Sequence, residues 1–197
     1  MATLQVKQGQ HDFKPSIFPW PRILSNKILY FEYTLTESCW YDSLGSDNYD
    51  FNKGIGLYQW LDFAKNFNAF ILGWRSKLDQ VNYFECVPYE NVNKGIFANE
   101  DKIRVYKAGD VIKGYFKPSI TGCELYLILE DTFNPDIELK VSLLPRDKQS
   151  VILWHKSKLS SCLYGVVDSW FGGNNVAVQD MNVGLLTNIT KLNNHAS

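Results

Sequence analysis

The chain is short of most features that announce a chemical function. It has four cysteines, Cys39, Cys86, Cys123 and Cys162, each roughly forty residues from the next. No Cys-x-x-Cys pair occurs, which excludes the usual structural zinc site. Cys86 and Cys123 lie in strand-like runs, where a thiol serves as a small buried hydrophobe, so free buried thiols are expected rather than disulfides. Histidines number three, His11, His155 and His195. Only His155, after Val151-Ile-Leu-Trp154, sits where a rigid site could use it, and no Gly-x-Ser-x-Gly or other nucleophile context accompanies it. Glu32, Glu37, Glu85, Glu124 and Glu130 could supply a glycosidase pair, but any β-rich chain of this size has as many, and no Glu-x-Asp-x-x-Glu run occurs. The sequence thus predicts no catalytic residues and a protein that is not an enzyme. There is no basic block, and 20 basic residues meet 21 acidic ones, so the positive footprint of nucleic-acid binding is missing. No run approaches the length of a spanning helix, and Met1–Gln10 has no apolar signal core; membrane insertion and secretion are not expected.

What is present is aromatic. Twelve Phe, eleven Tyr and six Trp make up 15% of the 197 residues. Such side chains favour pleated surfaces and also line sugar and protein interfaces. Leu29, Phe31, Tyr33 and Leu35 alternate with Tyr30, Glu32, Thr34 and Thr36, the period of a half-buried strand over Ile28–Glu37. Further strands are predicted at Gly54–Trp60, Phe67–Arg75 and Val81–Tyr89, with Pro88 marking an edge or a strand end. Others follow at Lys102–Tyr106, Val111–Lys117, Glu124–Glu130, Ile137–Leu143, Val151–Trp154, Cys162–Val167 and Met181–Leu186. Turn signals separate many of them, and only Trp60–Asn68 has a short helical spacing. About ten short strands without alternating helices predict an all-β, two-sheet sandwich. The domain expectation is an extended proline-rich arm over 1–27, a sandwich over 28–187 and a polar tail over 188–197. Pro15, Pro19 and Pro21 stiffen the arm, and Phe18 and Trp20 would anchor it, either on its own domain or on a partner.

One loop concentrates polar and aromatic chemistry. Trp40, Tyr41 and Asp42 begin it, and Asp47, Asn48, Asp50, Asn52 and Lys53 follow. With Trp74 and Arg75 from the strand beyond, Trp40, Tyr41 and Asp42 form the candidate ligand-binding set. Asp47, Asp50 and Asn52 carry hard oxygen donors suited to calcium, although the spacing is not that of an EF-hand. A solvated loop capped by its own side chains explains the same residues. Arg75 is expected to pair with Asp42 or Asp50 and to stack on an aromatic ring.

The order Phe31-x-Tyr33-x-Leu35-x-Glu37-Ser-Cys-Trp-Tyr-Asp42, Asp47-x-Tyr49-Asp-x-Asn-Lys53-x-x-Gly56, Gly73-Trp-Arg75 and Trp170-Phe-Gly-Gly-Asn174 resembles a family of small proteins of Bacteroidota and their phages. These are similar to concanavalin-type, lectin-like jelly rolls. The resemblance spans roughly Leu29–Leu186 and implies a jelly-roll fold with Phe-Gly-Gly between strands. The chain departs from the family pattern at Phe67-Asn-Ala-Phe70, where relatives carry a histidine- or asparagine-and-serine-rich strand, and at Val176-Ala-Val-Gln179, where they carry Pro-His or Pro-x-Asp, and this favours a structural or binding role. The resulting expectation is a phage virion structural protein, capsid-decorating or fibre- or tail-associated. It would be made in the host cytoplasm, contact other virion proteins and copies of itself, and need no cofactor. The alternative is a carbohydrate-binding lectin-like domain.

Overall fold

A computed structural model describes residues 1–15, 24, 27–43, 49–59, 68–92, 95–130, 149–160, 164–167, 169–172 and 176–191. Two antiparallel six-stranded sheets pack face to face as a β-sandwich. The strands are β1 (Ala2–Val6), β2 (Lys27–Leu35), β3 (Asn52–Gln59), β4 (Ala69–Ser76), β5 (Tyr83–Val92), β6 (Gly95–Ala98), β7 (Arg104–Lys107), β8 (Val111–Ser119), β9 (Gly122–Glu130), β10 (Gln149–Ser157), β11 (Tyr164–Val167) and β12 (Met181–Lys191). The first sheet runs β1-β12-β2-β8-β9-β10, and the second runs β11-β3-β4-β5-β6, with β7 also pairing β5. Short 3₁₀ turns occupy Glu37–Cys39 and Glu100–Lys102.

The alternation seen in the sequence sets which side chains go inward. Leu29, Phe31, Tyr33 and Leu35 are buried along β2. They meet Phe70, Leu72, Trp74 and Phe84 of the opposite sheet in one core. Phe70 and Phe116 join the sheets edge to face at 5.4 Å, and Trp74 meets Phe84 at 6.0 Å in the same geometry. Each large apolar side chain buried there contributes roughly 1.5–3 kcal/mol.

Two strands were not foreseen. Ala2–Val6 pairs with β12, burying Leu4 and Val6. Gly95–Ala98, which follows the turn signal Asn93-Lys-Gly95, pairs with the end of β5. The segment expected to be an arm therefore begins inside the sheet. Gln5 and Lys14 exchange both main-chain bonds at 2.8 Å, and Phe13 is buried. Strand β12 continues to Lys191, so the first four residues of the expected tail are strand. Phe18, Trp20, the helical spacing over 60–67, strand Ile137–Leu143 and Cys162 lie outside the described residues. Pro88 stands inside β5 rather than on an outer strand. β7 covers Tyr83–Cys86 and β6 covers Tyr89–Val92 on the same side, so the proline, lacking an N–H, falls where no partner strand needs one. Cys39, Cys86 and Cys123 are free and buried, as expected.

Candidate functional site

At one end of the sandwich, β3 begins with Asn52, whose side chain is almost fully buried. Its Nδ2 donates to the Tyr41 hydroxyl at 3.0 Å, and its Oδ1 accepts from the Gly172 N–H at 2.7 Å. Lys53 follows. Its N–H donates to Trp170 O at 2.9 Å, and Trp170 N–H returns a bond to Lys53 O at 2.7 Å. The Lys53 ammonium donates to Phe51 O at 3.0 Å and Gly172 O at 2.9 Å. It also lies 5.1 Å from the Tyr89 ring centroid. Burial pulls its pKa below the usual lysine range, with Asp50 opposing in part. Gly172 has φ +65°, the left-handed region that a side chain disfavours. The Ser169 hydroxyl completes the attachment through Tyr33 Oη at 2.7 Å. The segment 169–172 is thus held against β3 by main chain, amide and ammonium together.

The predicted binding residues mostly build this scaffold. Tyr41 is buried, with its N–H bonded to Ser76 Oγ at 2.9 Å and its ring 5.3 Å from Phe171. Trp74 is fully buried and offers no face to a ligand. Its Nε1–H lies near the Tyr33 oxygen without closing a hydrogen bond of good geometry. Trp40 is half-buried against the core and donates to Lys77 O at 3.3 Å. Asp42 is exposed at the margin. Arg75 forms the expected clamp with different partners. It pairs with Glu85 at 2.7 Å and Glu100 at 3.6 Å, stacks on Phe51 at 4.3 Å, and donates to Tyr49 O at 3.0 Å. Glu85 wins because Arg75 and Glu85 are register partners on β4 and β5, side by side on one face. Of the proposed calcium ligands, Asp50 is exposed and Asp47 lies outside the described residues. Both polar atoms of the Asn52 amide are engaged within the protein. Among the described residues, no three of His, Cys, Asp and Glu converge as a metal site.

Two groupings were not predicted as sites. The first is Trp170, 40% exposed and stacked on His11 at 5.3 Å with 17° between the rings. Main-chain bridges place Trp170 between Asp12 and Lys53. The sequence signal was the Trp170-Phe-Gly-Gly string itself, which says nothing of a distant His11.

The second lies at the seam between the sheets. Glu90 of β5 bonds His155 Nε2 through one oxygen and accepts from Ser157 Oγ at 2.9 Å through the other. Lys102 Nζ approaches His155 Nδ1 at 3.3 Å and donates to Trp154 O at 2.7 Å. A β-bulge explains why these side chains meet. In β10, Leu153 pairs with Tyr126 and His155 with Leu125, so Trp154 is the extra residue. Without it, His155 and Ser157 would face outward; with it, they share the inner side with Leu125 and Cys123. Ser157 Oγ also accepts from Leu159 N–H at 3.0 Å. A nucleophilic serine needs the imidazole as its partner, whereas this one is spent on a carboxylate and a main-chain amide. The grouping is a polar clasp between sheets. A tautomer with hydrogen on Nε2 satisfies Glu90 and Lys102 at once.

No family model matches the chain, and no curated protein matches it at a significant level.

Proposed function

We propose that the chain is a non-enzymatic structural protein of a phage virion, a concanavalin-type jelly roll that decorates a capsid or attaches to a fibre or tail. It works through protein–protein contacts with other virion proteins and with copies of itself. One observation carries this reading: among the described residues, the nine-residue strand β10 pairs on one side only, with β9. An edge of that length, open among the described residues, is a template for strand addition, and Leu153 stands 40% exposed upon it. Phe18 and Trp20 are the proposed anchors of the arm, and the resemblance in Glu37–Asp42 and Trp170–Asn174 supplies the virion setting. The test is co-purification with particles, together with light scattering of the isolated chain. The chain is expected to track with particles and to self-associate. Leu153→Lys should weaken that association about tenfold or more while moving the melting temperature by only about 1–2 °C. A strictly monomeric chain absent from particles ends the reading.

A second reading, the lectin-like carbohydrate-binding domain, is favoured by the half-exposed Trp170 on its His11 support. In it Tyr41 and Trp74 serve the scaffold and Trp170 replaces them at the surface.

A further inference from the structure

The exposed aromatics differ in how they are held. Among the described residues, Trp170 is the one mounted from three directions. Its main chain is bonded twice to Lys53 and forms an antiparallel bridge with Asp12, and its ring rests on His11. The next residue, Phe171, donates its N–H to His11 O at 2.9 Å and faces His11 Nδ1 through its own carbonyl at 3.1 Å. Phe171 is buried against Tyr41. The imidazole beneath the indole is thus fixed by the same segment that carries the indole. With one ring face covered by the imidazole, 40% of Trp170 is still exposed.

The neighbours carry both signs of charge. Antiparallel partners project to one face, so Asp12 and Lys53 flank the indole on either side. Lys14 lies 4.0 Å from Asp12, and Asp50 acts electrostatically on Lys53. The Lys53 ammonium is spent on Phe51 O and Gly172 O, and at the surface Lys14 and Asp12 offset each other, so neither a cation nor an anion meets a field of one sign. The environment suits a ligand with no net charge, one flat apolar face and hydroxyls around its rim. That describes a pyranose ring, whose C–H face packs on an aromatic surface while its hydroxyls donate to a carboxylate.

We propose that Trp170, supported by His11 and flanked by Asp12, is a subsite for an uncharged glycan. The indole face takes the apolar side of one sugar ring, and the exposed Asp12 carboxylate accepts from its hydroxyls. This rests on the lectin-like reading and gives it a location. It requires neither Trp40 nor Trp74. Because the site is built from pieces of the N-terminal segment, β3 and the segment before β12, it exists only in the folded chain.

The test uses the full chain, ¹⁵N-labelled, with the indole N–H resonances as reporters. The probes are hexasaccharides of β-1,4-glucose, α-1,4-glucose and β-1,4-N-acetylglucosamine, with tetramethylammonium as the cation control. At least one hexasaccharide should shift the resonance lost in Trp170→Phe, saturating with a millimolar-range dissociation constant, on the order of a single weak ring contact. Trp170→Ala should weaken binding about tenfold or more. Asp12→Asn should weaken it severalfold with the melting curve unchanged, which keeps the proposal testable if Trp170→Ala fails to fold. Glycan binding that survives Trp170→Ala and Asp12→Asn refutes the subsite and leaves the lectin-like reading standing. Binding of no hexasaccharide refutes both. Tetramethylammonium shifting the Trp170 resonance while no sugar does would assign the indole to cations instead.

Discussion

Asn52 shows how much one buried amide can hold. Removing it as Asn52→Ala leaves the Tyr41 hydroxyl without its donor and the Gly172 N–H without its acceptor. The expected loss is about 2–3 kcal/mol, read as a lower urea midpoint with unchanged slope. Asn52→Asp retains the acceptor but faces Tyr41 with a carboxylate, and should recover only part. Ionisation gives a second residue-scale expectation. Burial pushes the Cys39 thiol up to about 11 and raises Cys86, Cys123 and Tyr33 as well. Each group holds its proton more tightly folded than unfolded. For Cys39 the stability this contributes is whole below the unfolded value near 9 and is lost as pH climbs toward 11; for Cys86, Cys123 and Tyr33 the loss continues to higher pH, starting near 10 for Tyr33. Urea midpoints at pH 7, 9 and 10.5 should fall in that order, and the described thiols should resist alkylation at neutral pH until denaturant is added.

At the scale of the element, the bulge in β10 and the glycine in β3 do the positioning. Gly56 lies where β3 slips its register against β4, and a Cβ there would come within 2.5 Å of Phe70 O. Gly54 and Gly56 inside a strand pattern signal a close approach or a bulge, and β3 has both. The bulge at Trp154 was not legible. Val151-Ile-Leu-Trp-His-Lys-Ser157 reads equally well with either parity, and the choice is made by Glu90, 65 positions from His155. Glu90→Ala should cost about 2–3 kcal/mol, because it strands His155 Nε2–H and Ser157 Oγ together. Glu90→Gln keeps an acceptor and should cost less. If both variants melt like the parent, the clasp contributes nothing. Strand β1 was missed for a different reason: only Leu4 and Val6 mark its inward side, too short a pattern to outweigh the prolines that follow.

For the whole molecule, alternation was the signal that survived. Long strands such as β2 declare their buried face because every second residue must be apolar there, and the sandwich follows from enough such strands. The candidate site was less legible, since proximity between Trp170 and His11, or Arg75 and Glu85, depends on topology that local patterns do not carry. Tyr41 and Trp74 looked like ligand grips because aromatics serve cores and surfaces alike; pairing decided for the core.

The order of the first sheet has a consequence for synthesis. Ala2 pairs with Leu185, and β12 lies between β1 and β2. At about 5–20 residues per second, the ribosome delivers Leu185 roughly 10–40 s after Ala2. Until then β1 has only its bridge to Lys14 and β2 lacks one neighbour, so the nascent chain spends that interval with two unclosed edges. A ribosome stalled before Met181 would release a product prone to clumping, and the growing chain is the stage at which a chaperone would matter most.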